Sequence, residues 1–331
     1  MHRAAALISL TFALGFHADY QCRHSGACCT ARWPVPIERD RAAAVSRAIA
    51  SGRVNAPLEW FRNAPGSPDD VSGVLAQQPS GACVFHRPGS HAGMGAPVAG
   101  GCAIHKWRPG ACEHFPFVCV IDPRGVHVTL SHYCPTAAGL LFEDTDARVV
   151  EGPPALGDGR IPEGLDARES LPPADASGAR LLSWEDVTGF ESALVSRLSA
   201  ATDVPDAPSL EQYERARSAV LPGWAWPEAP AAADAAWRKL AAPSWPRWSA
   251  VIGRYLSAKA HASWAMCLGD GFRAVERLVD LARVVLQVEA VRACVAGDAP
   301  LDRLRLTGAI RQSDLLLVHL ADPHTLVDRR R

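Results

Sequence analysis

Apolar residues recur with different periods in the two halves of this chain, and the change predicts where its regular structure lies. From Leu181 onward the spacing is helical. Ser183 followed by Asp186 is a capping pattern, and Val187, Phe190, Leu194 and Leu198 then fall on one face. Trp248, Ile252, Tyr255 and Leu256 mark a second helix. A third runs from Phe272 through Val275, Leu278, Val279, Ala282, Val285 and Leu286 to about Ala293, and a fourth from Ala309 to Leu320.

The first half carries one clear helix. It starts after Pro36, whose fixed φ suits a first helical turn, passes through Glu38, Arg39 and Asp40, and runs to about Ala50, where Gly52 ends it. Val126 to Leu130 alternates apolar and polar residues and reads as a strand delivering Cys134. Residues 86–101 form a Gly/Pro loop, and residues 151–179 are acidic, rich in Pro and Gly, and without periodicity, which marks a linker or surface excursion. The apolar stretch Ala4–Phe16 resembles a leader peptide. Phe16-His17-Ala18 is however a poor cleavage site, and the stretch runs without spacer into Cys22, so residues 5–21 read as a buried strand or short helix. The stretch is too short for a membrane span. The predicted fold is mainly α. An irregular, cysteine-rich domain with a few short strands (1–150) leads through a linker (151–179) to an all-α domain (180–331).

An apolar fraction of 48% and a charged fraction of 21% are those of an ordinary globular protein, and a formal charge of −1 excludes a general electrostatic grip on nucleic acid or anionic membrane. The chain has ten tryptophans, mostly in the second half, which suggests an aromatic-rich helical core. It also has ten cysteines. Eight of them, Cys22, Cys28, Cys29, Cys83, Cys102, Cys112, Cys119 and Cys134, lie in the first half, whereas Cys267 and Cys294 sit in helical sequence as small hydrophobes.

Adjacent cysteines such as Cys28 and Cys29 rarely bridge each other, because the small ring strains the peptide. Both can face a metal if the chain turns, and Gly26 allows a turn. Thiolates bind zinc and iron–sulfur clusters readily, and eight suffice for two cubanes, for one cluster plus zinc, or for one site with spare thiols. The short C-x₂-C pairs common in zinc sites are absent. C-x₂-H (Cys102, His105), C-x-H (Cys112, His114) and H-x-C (His132, Cys134) keep mixed zinc ligation open. His24, His86, His105, His114 and His132 each read as supporting or exposed rather than ligating. Phe85, Trp107, Phe115 and Phe117 form a candidate apolar shell, and Lys106 and Arg108 are candidates for offsetting thiolate charge, Arg108-Pro109 being equally a turn that positions Cys112. Asp314 and His319 read as helix-surface residues. There is no radical S-adenosylmethionine triplet, haem attachment site or P-loop.

The set Y-x-C-x-x-S-G-x-C-C from Tyr20, C-x-F at Cys83, C-x-I-x-x-x-R-P-x-x-C-x-x-F-P from Cys102 and C-P at Cys134 resembles the CxxCxxCC, or YkgJ-like, family of zinc- or iron-chelating cysteine-cluster proteins. It is also similar to the flagellin lysine-N-methylases. The resemblance covers roughly residues 20–136 and implies Cys22, Cys28, Cys29, Cys83, Cys102, Cys112 and Cys134 as ligands. Ser25 stands where the family has its second cysteine, and Cys119 is an addition that can replace it. The implied cofactor is an iron–sulfur cluster, [4Fe-4S], or alternatively zinc.

Three functions follow as expectations. One is a lysine N-methylase-like enzyme using S-adenosylmethionine, implied by the resemblance alone and with no catalytic residue assigned. The second is a non-enzymatic metal-binding or redox module whose helical half binds a protein partner. The third is a secreted disulfide protein. The first two imply a cytoplasmic protein with no nucleic-acid or membrane partner.

Overall fold

The computed structural model describes residues 10–88, 101–152, 164–175, 177–220, 230–268 and 270–321. The chain is mainly helical, with short strands gathered into small sheets. Among the described residues, no helix is long and apolar enough to cross a membrane. It divides into two compact units. One comprises residues 21–115 and 134–136, the other residues 1–20, 116–133 and 137–331.

This division is not the expected one. The second unit is not all-α, because the N-terminal strand and the hairpin after Phe115 belong to it. Its sheet runs, in spatial order, Leu165–Asp166, Phe117–Asp122, Gly125–Leu130, Thr11–Leu14 and Val149–Gly152. Thr11–Leu14 lies inside that sheet, parallel to Gly125–Leu130 and antiparallel to Val149–Gly152, so the early apolar stretch supplies an interior strand. The expected linker contributes strand residues at Glu151, Gly152 and Leu165–Asp166; residues 153–163 lie outside the described ones.

The helices of this unit are Trp184–Ala200, Leu210–Ala219, Pro230–Ala236, Ser249–Ala260, the four-residue Ala265–Leu268, Phe272–Ala296 and Arg303–Asp314, the last continued by a wider turn over Leu315–Leu320. Trp184–Ala200 starts on the expected capping box of Ser183 and Asp186. Val187, Leu194 and Leu198 are buried, while Phe190 is exposed. Trp237, Trp245 and Tyr255 are fully buried, with the two indoles edge-to-face at 4.9 Å, and this is the aromatic core the composition suggested. Leu14, Phe16 and Val120 from the sheet join it. Strand Gly125–Leu130 is buried along both faces. Val126 and Val128 pack with Cys119, while the Thr129 hydroxyl donates to the Ala258 carbonyl at 3.2 Å.

The smaller unit carries less regular structure. Its helix, Arg39–Ala50, buries Ala42, Val45 and Ala48 and is followed by Gly52 at φ +71°. Pro36–Glu38, Val71–Leu75 and Phe61–Arg62 form a small antiparallel sheet, and His86–Arg87 pairs with Gly101–Cys102. Most of the expected Gly/Pro loop, residues 89–100, lies outside the described residues.

Candidate metal centre

Four stretches of the smaller unit bring thiols together, and backbone chemistry aims each one. Gly26 adopts φ +72°, where a Cβ would also press on the His86 ring at 3.2 Å, so the turn requires glycine. That turn starts the short 3₁₀ segment Ala27–Thr30, with the Cys29 N–H donating to the Gly26 carbonyl at 2.9 Å, and it presents Cys28 and Cys29 side by side. The Cys83 N–H donates to the Cys29 carbonyl at 2.7 Å, tying the second stretch to the first. Cys102 is placed by its pairing with His86. Cys112 rides on the single helical turn Gly110–His114, whose first N–H donates to the Glu38 carboxylate at 3.0 Å.

Cys28, Cys29, Cys83, Cys102 and Cys112 line one cavity together with Arg32, Trp33, Val35, Leu75, Ile104 and Pro109. No disulfide joins any of the ten cysteines. Cys29 lies close enough to Cys102, Cys28 and Cys83 to hydrogen-bond with each, and those bonds, with burial, drive its pKa far upward. The same contact with Cys29 lowers Cys28, Cys83 and Cys102. Burial and then the neighbouring thiolates raise Cys112, against the pull of Arg108. Thiols crowded in this way cannot all ionise unaided; a cation among them removes the conflict.

The other expected residues are distributed differently. Cys22 is exposed and stands with His24 and His105, one donor atom of each lying within 4.8 Å of the others. Arg108 reaches His105 Nε2 at 2.8 Å and also acts electrostatically on Cys28, Cys102 and Cys112. Cys134 is buried and belongs to this unit, but it does not line the cavity. Cys119 belongs to the larger unit, in strand Phe117–Asp122, buried against Val126 and Val128 with its pKa pushed up to about 12 by burial. It sits as an apolar side chain of a sheet and does not line the cavity of the five thiols. Of the expected aromatic shell, Phe85 is buried beside Trp60, Trp107 packs on the same cluster and Phe115 lies against Trp33. Phe117 is in the larger unit.

Residue spacing gave no warning of a second concentration of charge, inside the larger unit. Asp314 is wholly buried. It accepts from Lys259 Nζ at 2.5 Å and from the His132 N–H, while His132 Nε2 stands 3.1 Å from His17 Nε2. Burial alone would raise the Asp314 pKa, but the Lys259 ammonium and the His132 imidazole, its Nδ1 3.4 Å away, hold it far below the usual carboxylate range. Ser131 lies 2.7 Å from His319, whose pKa burial pushes down to about 4. Asp314 is therefore an interior group and not a helix-surface one, His132 is interior as well, and His319 is half-buried. No family model, curated protein or solved structure matches the chain.

Proposed function

We propose that the unit of residues 21–115 and 134–136 is a metal-binding module in which Cys28, Cys29, Cys83, Cys102 and Cys112 supply the ligands, with Cys134 in reserve. One observation carries this reading: five thiols from four stretches line a single cavity that contains no carboxylate. An all-sulfur donor set suits zinc or iron and excludes calcium and magnesium. The contact of Cys29 with three other thiols suits a single tetrahedral ion, in which neighbouring sulfurs lie about 3.8 Å apart for a metal–sulfur bond of about 2.3 Å. A cubane spreads its ligands more widely. An iron–sulfur cluster is the second reading, favoured by the fifth thiol and by the apolar wall of Trp33, Val35, Leu75 and Ile104, which keeps water from a cluster.

Converging thiols call for metal binding and nothing more, so the non-enzymatic module is preferred over the lysine N-methylase that the resemblance implies. Unbridged thiols suit a reducing compartment such as the cytoplasm. The test is metal analysis of the full chain purified without oxygen. Colourless protein with one equivalent of zinc that Cys83→Ser abolishes establishes the single-ion form. Brown protein with iron and acid-labile sulfide in comparable amounts establishes the cluster. Metal-free protein whose five cavity thiols all react with a thiol reagent before and after zinc is added would end the proposal.

A further inference from the structure

The larger unit holds a separate set of donors that the cysteine-centred reading does not use. His127, Glu191 and His261 come from the strand Gly125–Leu130, the helix Trp184–Ala200 and the turn after helix Ser249–Ala260. All three are buried, and one donor atom of each lies within 4.8 Å of the others. We propose that they form a second, independent metal site for a divalent transition ion such as zinc or ferrous iron, with two imidazoles and one carboxylate as ligands.

The surroundings of each side chain support this. His261 Nε2 lies 3.5 Å from the Phe12 carbonyl, and Nδ1 stands 3.0 Å from Glu191 Oε1 without an aligned hydrogen bond among the described residues. His127 Nε2 stands 3.2 Å from Asp122 Oδ1, and His127 Nδ1 has no hydrogen-bond partner among the described residues. An imidazole with one nitrogen against a carboxylate or a backbone carbonyl and the other bare is how metal-ligating histidines are held. Glu191 is fixed for the same task. Its Oε2 accepts from Arg124 at 3.1 Å and its Oε1 from the Ala262 N–H at 3.0 Å, leaving Oε1 a second lone pair. Arg124 in turn grips Asp122 at 2.7 Å.

Charge points the same way. Asp122 and Glu191 are buried and bring two negative charges against the one positive of the nearly buried Arg124, an excess that a protonated imidazole or a bound cation offsets. A single extra proton would satisfy the His261–Glu191 pair but leave His127 Nδ1 bare. A metal ion takes lone pairs from both rings, and its surplus positive charge leaves room for an anionic fourth ligand such as hydroxide. His261 also lines a cavity with Thr129, Lys259 and Ser263, where such a ligand can enter, and the Ser263 hydroxyl has no hydrogen-bond partner among the described residues.

The test loads the full chain with cobalt(II) under anaerobic conditions and compares wild type with His261→Gln and His127→Gln. Intense near-ultraviolet thiolate-to-cobalt absorption reports the cysteine centre, while weak visible bands without it report a nitrogen/oxygen site, so failure of either centre is seen separately. The expected result is that each histidine variant loses one bound equivalent and the nitrogen/oxygen bands while keeping the thiolate band. Should a variant fail to fold, X-ray absorption on wild-type protein decides. A mixed sulfur and nitrogen/oxygen shell at more than one equivalent supports the site. A sulfur-only shell, or unchanged metal content in folded variants, overturns it and leaves the cluster as a proton-balanced ion network.

Discussion

The two units solve the same problem with different means. In the larger one, Trp237, Trp245, Tyr255, Leu286 and Leu306 are among many fully buried side chains of a continuous helical core, and apolar burial alone can hold it. In the smaller, the core is Val35, Ile37, Val45, Trp60, Leu75, Phe85 and Ile104 with a few alanines, and Cys83, Cys102 and Cys112 pack directly against it. Thiols occupy positions where a self-sufficient domain would place leucine. On the proposed reading such a unit would depend on its metal, because the energy of binding would then be energy of folding.

The sharpest way to break this contrast is to remove the metal. If the proposed thiol-bound metal is present, chelation of the full chain should strip most hydrogen-exchange protection from residues 21–115 and leave Phe272–Ala296, which carries none of the proposed ligands, nearly unchanged. Structural zinc contributes on the order of 10 kcal/mol in small domains, far beyond what this core can replace. Cys83→Ser should mimic chelation and abolish the stoichiometric metal of the cysteine centre, whereas Cys119→Ser should retain it, since Cys119 packs only in the sheet. Equal loss of protection in both units would show that they unfold as one.

These outcomes bear on what could be read in advance. The helices of the larger unit were legible because an apolar face repeats with helical period; Ser183, Val187, Leu194 and Tyr255 sit where periodicity places them. The thiols were legible because cysteine has few other reasons to cluster. The buried ions were not. Lys259, Glu191 and Asp314 are indistinguishable in sequence from solvated helix charges, and only tertiary contact makes them interior. The alternation in Val126–Leu130 correctly indicates a strand, but its polar side faces other protein groups instead of water. Domain limits were misread for a related reason: pairing between Thr11–Leu14 and Gly125–Leu130 spans a distance in sequence that local pattern cannot see.

A large but more local effect tests the interior of the bigger unit. Lys259→Met removes the ammonium 2.5 Å from Asp314 and strands a buried carboxylate, which should cost about 3–5 kcal/mol. Lys259→Met with Asp314→Leu should recover much of that, because removing both charges avoids the uncompensated one. Denaturant midpoints of the tryptophan signal measure both. A double variant no better than the single one would mean that the pair is not mutually dependent.

The pH dependence should be somewhat smaller and of a definite sign. His319 is lowered by burial to about 4, and burial also lowers His17. As pH falls through about 6.5, the unfolded chain takes up protons that the folded one refuses, so stability declines down to about pH 4 and then levels off for His319. That histidine alone accounts for about 3 kcal/mol across the window. Asp314, held low in the folded state, contributes stability present above about 4 and lost only as pH falls further, so measurements between pH 7 and 4.5 isolate the histidines. His319→Gln should flatten the slope of the larger unit's unfolding midpoint against pH.

The smallest effect falls at a helix end. Ser209 Oγ accepts from the Gln212 N–H at 3.2 Å, and the Ser209 N–H donates to the Gln212 side-chain oxygen at 2.9 Å, closing a reciprocal cap on Leu210–Ala219. That helix buries only Tyr213, Ala216 and Ala219, so it relies on its cap more than its longer neighbours do. Ser209→Ala should cost about 1 kcal/mol, read as a lowered unfolding midpoint with faster amide exchange in its first turn. Metal content should not change, because the proposed thiol ligands lie in the other unit and the proposed ligands His127, Glu191 and His261 lie on other elements of this one. If a lost cap did release metal, the claim that one unit is held by its core and the other by its thiols would have to be replaced by a single coupled fold.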